Sequence, residues 1–105
     1  HMNIEEDDIE QSIEKAADHI GYFHVSEPNR KVPNTCVHIN WKAIGKALKK
    51  TGYDGAVVLE PFYKFGGEQG HNMRMWRDLD KDLSMENRLW IAEQGIEYIK
   101  TQFEE

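Results

Sequence analysis

The chain contains a single cysteine, Cys36, among 105 residues. No disulfide can close within it, and such sparing use fits a reducing compartment. Basic residues are in the minority, with 13 Lys and Arg against 19 Asp and Glu for a net charge of −6. A protein that neutralises phosphates needs the opposite balance, so nucleic acid is not an expected partner. No apolar stretch approaches the roughly 20 residues of a membrane span, so no membrane partner is expected either, and the expected location is cytoplasmic. Prolines number three, and two of them, Pro28 and Pro33, share one segment. Internal repeats and low-complexity tracts are absent. A chain of this length forms one domain at most, burying about 60 to 70% of the surface its unfolded form exposes.

What is present is an alternation of helical and strand-like patterns. Ile9, Ile13, Ala16, Ala17 and Ile20 recur at helical spacing after "EEDD", where Asp7 or Asp8 can cap and acidic groups suit the positive end of the dipole. The spacing predicts a helix over about 8–19. "IGYFHV" is a nearly continuous apolar run, the pattern of a strand covered on both faces. Residues 27–39 read as a loop. Asn40 caps a second helix whose Trp41, Ile44, Ala47 and Leu48 share a face, and Gly52 is placed to end it. "GAVVLEP" is a second buried strand. The glycine-bearing region 64–81 reads as a long loop with one helical turn around Met73 to Arg77. Ser84 caps the last helix, with Leu89, Ala92, Ile96, Ile99 and Phe103 as its buried stripe. This order implies parallel strands joined by helical crossovers, an α/β fold.

Both strand-like runs end in polar residues that a core strand does not need. "YFHVSEPNR" delivers His24, Ser26, Glu27, Asn29 and Arg30, and "GAVVLEPF" ends in Glu60. His24 and Glu60 stand 36 positions apart, close to the roughly 31 residues of one strand–helix unit in a (β/α)8 barrel. That spacing predicts equivalent places at the ends of neighbouring parallel strands about 4.8 Å apart, near enough to share an ion at a barrel's mouth.

"HMNIEEDDIEQSIEKAADHIGYFHVSEPNRKVP", "WKAIGKALKKTGYDGAVVLEPF" and "GGEQGHNMRMWRDL" together resemble the C-terminal third of the D-tagatose 3-epimerase and D-psicose 3-epimerase family, sugar epimerases with a xylose-isomerase-like TIM barrel. The resemblance implies a C-terminal segment of such a barrel, incomplete as a closed barrel. It places the end of strand 6 and helix 6 at 1–19, strand 7 near 20–25, helix 7 near 41–51, strand 8 near 55–60 and helix 8 near 85–103. It further implies a divalent metal, manganese or cobalt with magnesium as a third candidate, held in part by His24 and Glu60. Glu60 would also be one of two glutamates that exchange a proton at C3 of a ketose through a metal-stabilised enediolate. Arg30, His1 and Phe62 match substrate-binding positions. A metal that stabilises an oxyanion and a carboxylate held against a carbon acid suit that chemistry, and a planar guanidinium suits sugar hydroxyls.

The chain departs from the family pattern in places. "NTCVHIN" follows "VP" where glycine-rich sequence is usual, Cys36 and His38 have no counterpart, and the family's second metal carboxylate and other catalytic glutamate have no match. Half of the metal site is therefore expected, and the 105-residue chain alone is expected to be inactive. The opening His-Met is native in the family pattern and is also what a cloning site leaves behind. Plainer readings stand beside these. His24 could be a buried histidine satisfied by a carbonyl, and Arg30 could pair with Glu27. The burial of Glu60 after "VVL" would be costly without a partner. Trp41, Trp76 and Trp90 read as packing residues. His19, Cys36, His38 and His71 lack zinc-finger spacing. Two functions follow. One is a piece of a metal-dependent ketose 3-epimerase that acts on a ketose together with the missing N-terminal part of the barrel. The other is a non-catalytic barrel fragment that folds by self-association.

Overall fold

The structure, a computed structural model, describes residues 2–34 and 38–104. A short helix α1 (Met2–Glu5) precedes α2 (Ile9–Ala16) and a 3-10 turn (Ala17–His19). Strand β1 (Phe23–Val25), helix α3 (Trp41–Lys50), strand β2 (Val57–Leu59), helix α4 (Gly67–Asn72) and helix α5 (Met85–Glu104) follow. The strands form one parallel ladder with Phe23 opposite Val57, His24 opposite Val58 and Val25 opposite Leu59. Each is shorter than the apolar run that carries it.

Local chemistry explains where the helices begin. The Asp8 side chain accepts from the Gln11 N–H at 2.8 Å, Asn40 from Ala43 N–H at 3.1 Å, and the Ser84 hydroxyl from Asn87 N–H at 3.2 Å. Each satisfies an amide that the first helical turn leaves without a partner. Helix α3 ends at Gly52, whose φ of 77° is the left-handed conformation that glycine adopts without a Cβ clash.

Helix α3 is the centre of the packing, with α2 on one side and α5 on the other. Ile13, Val25, Trp41, Ile44, Ala47, Leu48 and Ile99 form the buried cluster, and Phe23 and Leu59 pack against it. Successive strand side chains point to opposite faces, so Phe23, Val25 and Leu59 meet the helices while His24 is on the other side. Among the described residues the strands are thus covered on one face, whereas their apolar runs suggest both.

Three further expectations are corrected. The helix in the glycine-bearing region is α4 at Gly67–Asn72, not a turn around Met73–Arg77, where Arg74 has a left-handed φ of 59° that breaks any helix. The stripe of α5 is divided: Ile99 is buried, while Leu89 and Ile96 are 58% and 44% exposed. Nothing among the described residues covers that part of the helix. Of the tryptophans only Trp41 is buried; Trp76 and Trp90 are solvent-facing.

Beyond β2 the chain stays extended and tied down. The Tyr63 hydroxyl donates to the Arg88 carbonyl at 3.3 Å, and the Arg88 guanidinium lies 5.8 Å from the Tyr63 ring. Burial pushes the Tyr63 phenol above its ordinary value, the Arg88 charge opposes this, and Asp80 adds to it. The folded state therefore favours the neutral phenol, and this contribution to stability is present below pH 10 and lost as pH rises beyond it.

Gly45 lies where α3 meets α5. A Cβ there would fall 2.8 Å from Phe103 Cδ1 and 2.9 Å from its Cα. Gly45→Ala gains about 1 kcal/mol of helix propensity, but the backbone atom cannot swing away and overpacking costs about 1–3 kcal/mol. The variant is expected to unfold at lower urea concentration than the parent. An unchanged or higher midpoint would show that the two helices are not in this contact.

Candidate functional site

The ladder register decides which polar groups meet. Glu60 lies one residue past β2 and two past Val58, the partner of His24, so it shares the face of His24. Its N–H donates to the Val25 carbonyl at 3.0 Å, carrying the pairing beyond the strand. The side chains reach each other diagonally, with His24 Nδ1 3.1 Å from Glu60 Oε2. The two residues do not stand at equivalent levels: His24 is the middle residue of β1, not its end, and Glu60 is further along its own strand. Tyr22, two residues before His24, presents its ring to the imidazole at a centroid distance of 4.9 Å and an interplanar angle of 69°.

An open cleft of about 790 Å³ lies over this face, and His24, Glu60, Arg30 and Phe62 all line it. Four of the five candidate site residues are thus brought together; His1 lies outside the described residues. Arg30 adopts a φ of 70°, a conformation costing a non-glycine residue about 1–2 kcal/mol. Its guanidinium donates from Nη2 to the Met73 carbonyl at 3.0 Å. Its own carbonyl accepts from Phe62 N–H at 2.8 Å, which fixes Phe62 beside it. The Arg30 guanidinium is therefore held by backbone of the segment after α4.

Glu60 itself is not buried. Its side chain is 59% exposed and that of His24 is 43% exposed, so Glu60 bears no burial cost that would demand a metal or partner. The carboxylate that is buried is Glu27, at 2% exposure. Its Oε1 accepts from Trp41 Nε1 at 3.1 Å and from Asn34 N–H at 3.2 Å. Sequence reasoning missed this group, although a buried indole needs an acceptor and Glu27 stands in a polar loop before α3.

Among the described residues no three His, Cys, Asp or Glu side chains converge as a metal site. The pair His24 and Glu60 nevertheless fits a share in one. Two donors each about 2.1 Å from an octahedral ion stand about 3.0 Å apart on adjacent vertices, and Nδ1 and Oε2 are 3.1 Å apart on solvent-accessible side chains. An imidazole with a carboxylate is a donor set that first-row divalent ions accept.

The family profile for xylose isomerase-like TIM barrels matches residues 1–100. The chain is 49% identical over 79 residues to a D-psicose 3-epimerase of Ruminiclostridium cellulolyticum, covering 75% of this chain and 27% of that protein. It is 41% identical over 103 residues to a D-psicose 3-epimerase of Enterocloster bolteae, covering 98% and 34% respectively. Among solved structures, a D-psicose 3-epimerase crystallised in the presence of D-fructose superposes with a TM-score of 0.91 at 37% identity, over 98% of this chain and 35% of that one. The D-psicose 3-epimerase of Clostridium cellulolyticum H10 with D-tagatose gives 0.91 at 39% identity, with the same coverage. The chain spans about a third or less of the length of these relatives.

Proposed function

The chain belongs to the xylose isomerase-like TIM barrel family, and from that premise we propose that it supplies the C-terminal part of a metal-dependent ketose 3-epimerase. The observation that carries the reading is the 3.1 Å approach of His24 Nδ1 and Glu60 Oε2 on one face of a parallel pair. It occurs in a cleft that also gathers Arg30 and Phe62. The similarity to D-psicose 3-epimerases supports the choice of substrate class.

In this reading His24 and Glu60 hold part of the coordination shell of a manganese or cobalt ion, and donors outside this chain complete it. The ion, when bound, supplies Lewis-acid polarisation of the ketose carbonyl and stabilises negative charge developing on oxygen. Glu60 takes the proton from C3 of the ketose and becomes a carboxylic acid, giving an enediolate, and a second, protonated carboxyl group outside this chain gives its proton to the opposite face of C3. The Arg30 guanidinium offers donors in a fixed plane to the sugar hydroxyls. Phe62 lines the same cleft and offers an apolar wall to the sugar.

A second reading has its own support. Met85, Leu89, Trp90 and Ile96 of α5 are exposed together with Val57 of β2, and the ladder of two strands leaves both outer edges without a partner among the described residues. Such a surface is covered either by the rest of a barrel or by another copy of the chain. The expected behaviour of the isolated chain is self-association, seen by sedimentation as a mass that rises with concentration. Leu89→Glu should shift it toward the monomer.

The isolated chain with manganese is expected to show little or no epimerisation of D-fructose or D-psicose; robust turnover would refute the half site. Assembled with the N-terminal two thirds of the Ruminiclostridium D-psicose 3-epimerase, it should become active. Glu60→Gln in that assembly should then lower kcat by about 10²–10⁴-fold. His24→Ala should weaken manganese binding, read by electron paramagnetic resonance, by at least about tenfold. Equal manganese affinity in parent and His24→Ala would remove the imidazole from the metal site.

A further inference from the structure

Glu27 takes no part in the chemistry proposed above, yet it is the most deeply buried charged side chain among the described residues, at 2% exposure. A carboxylate placed there costs several kcal/mol unless it is well partnered. Its side chain binds the Trp41 indole of α3 and the Asn34 amide, both through Oε1. Its backbone carries a tight turn, with its N–H donating to the Lys31 carbonyl at 2.9 Å and its carbonyl accepting from Arg30 N–H at 2.8 Å. Arg30 lies in that turn at its left-handed φ, and its carbonyl holds Phe62 N–H at 2.8 Å.

These contacts form one continuous path. The packed helix α3 holds Trp41, the indole holds Glu27, the Glu27 turn holds Arg30, and Arg30 holds Phe62. Residues kept in a sparsely populated backbone region persist only where their surroundings over-determine them. The surroundings that do so at Arg30 are the Glu27 turn on one side and Phe62 and Met73 on the other.

We propose that Glu27 is a positioning residue that, through its bond to Trp41, fixes Arg30 and Phe62 in the cleft. The inference rests on the reading of those two residues as the substrate-facing groups. Its test needs no turnover, so it can fail or succeed apart from that reading.

Amide hydrogen exchange of the full chain, followed residue by residue by NMR, reads the effect directly. Trp41→Phe keeps an aromatic ring but removes the Nε1 donor together with part of the buried indole, and the exchange at Leu48 registers what the smaller ring alone does. In this variant exchange at Arg30 and Phe62 should accelerate by about tenfold, the factor expected for losing one hydrogen bond that holds a local structure closed. Exchange at Leu48 in α3 should stay within about twofold of the parent. Glu27→Ala should accelerate Arg30 and Phe62 at least as much. Glu27→Gln, which keeps an Oε1 acceptor at the same reach, should restore most of the protection. Unchanged exchange at Phe62 in Trp41→Phe would overturn the proposal, and so would equal acceleration at Leu48, which marks general loosening. If Glu27→Ala does not fold, Trp41→Phe alone decides.

Discussion

A parallel ladder only three residues long on each strand fixes how the imidazole and the carboxylate meet in the cleft. With His24 opposite Val58, the carboxylate two residues further on falls on the same face as the imidazole, and their polar atoms meet at 3.1 Å. The side-chain period of a strand is two, so a slip of one residue would turn Glu60 into the helix-packed side and leave His24 alone. What prevents the slip is the other face. Val25 sits within the buried cluster and Leu59 packs against it, and neither can be replaced in the core by its polar neighbour. Hydrophobic burial on one side of the sheet thus sets the chemistry on the other.

The loop after β1 obeys the same logic one level further out. It has no regular ladder to fix it, and instead a buried carboxylate links it to the central helix through a tryptophan N–H. The left-handed Arg30 is stable in that frame although its backbone conformation is unfavourable by itself. Rigid packing, a polar tether and a strained cleft residue follow each other in space in that order.

Much of this organisation was legible in the residues. The caps Asn40 and Ser84, and one of Asp7 and Asp8, announce their helices because a short polar side chain before an apolar period favours the helix start, and the structure selects Asp8. The pairing of His24 with Glu60 was suggested by where two apolar runs end, while Arg30 and Phe62 were singled out as cleft residues only through the family resemblance. What could not be read is whatever depends on which surfaces are covered. The continuous apolar runs suggested strands enclosed on both faces, yet the described residues cover only one. Leu89 and Ile96 fit the periodicity of a buried stripe and are exposed. The same ambiguity exchanged the two glutamates: Glu60, flanked by apolar residues, is accessible, and Glu27, in a polar loop, is enclosed. Periodicity identifies a face of an element, but only tertiary contact says what lies against it.

The distribution of the three indoles has a practical side. Trp41 is enclosed by the core, whereas Trp76 and Trp90 face the solvent. Iodide is therefore expected to reach two of the three indoles in the monomer and to spare the third, an intrinsic optical probe seated at the junction between the central helix and the loop.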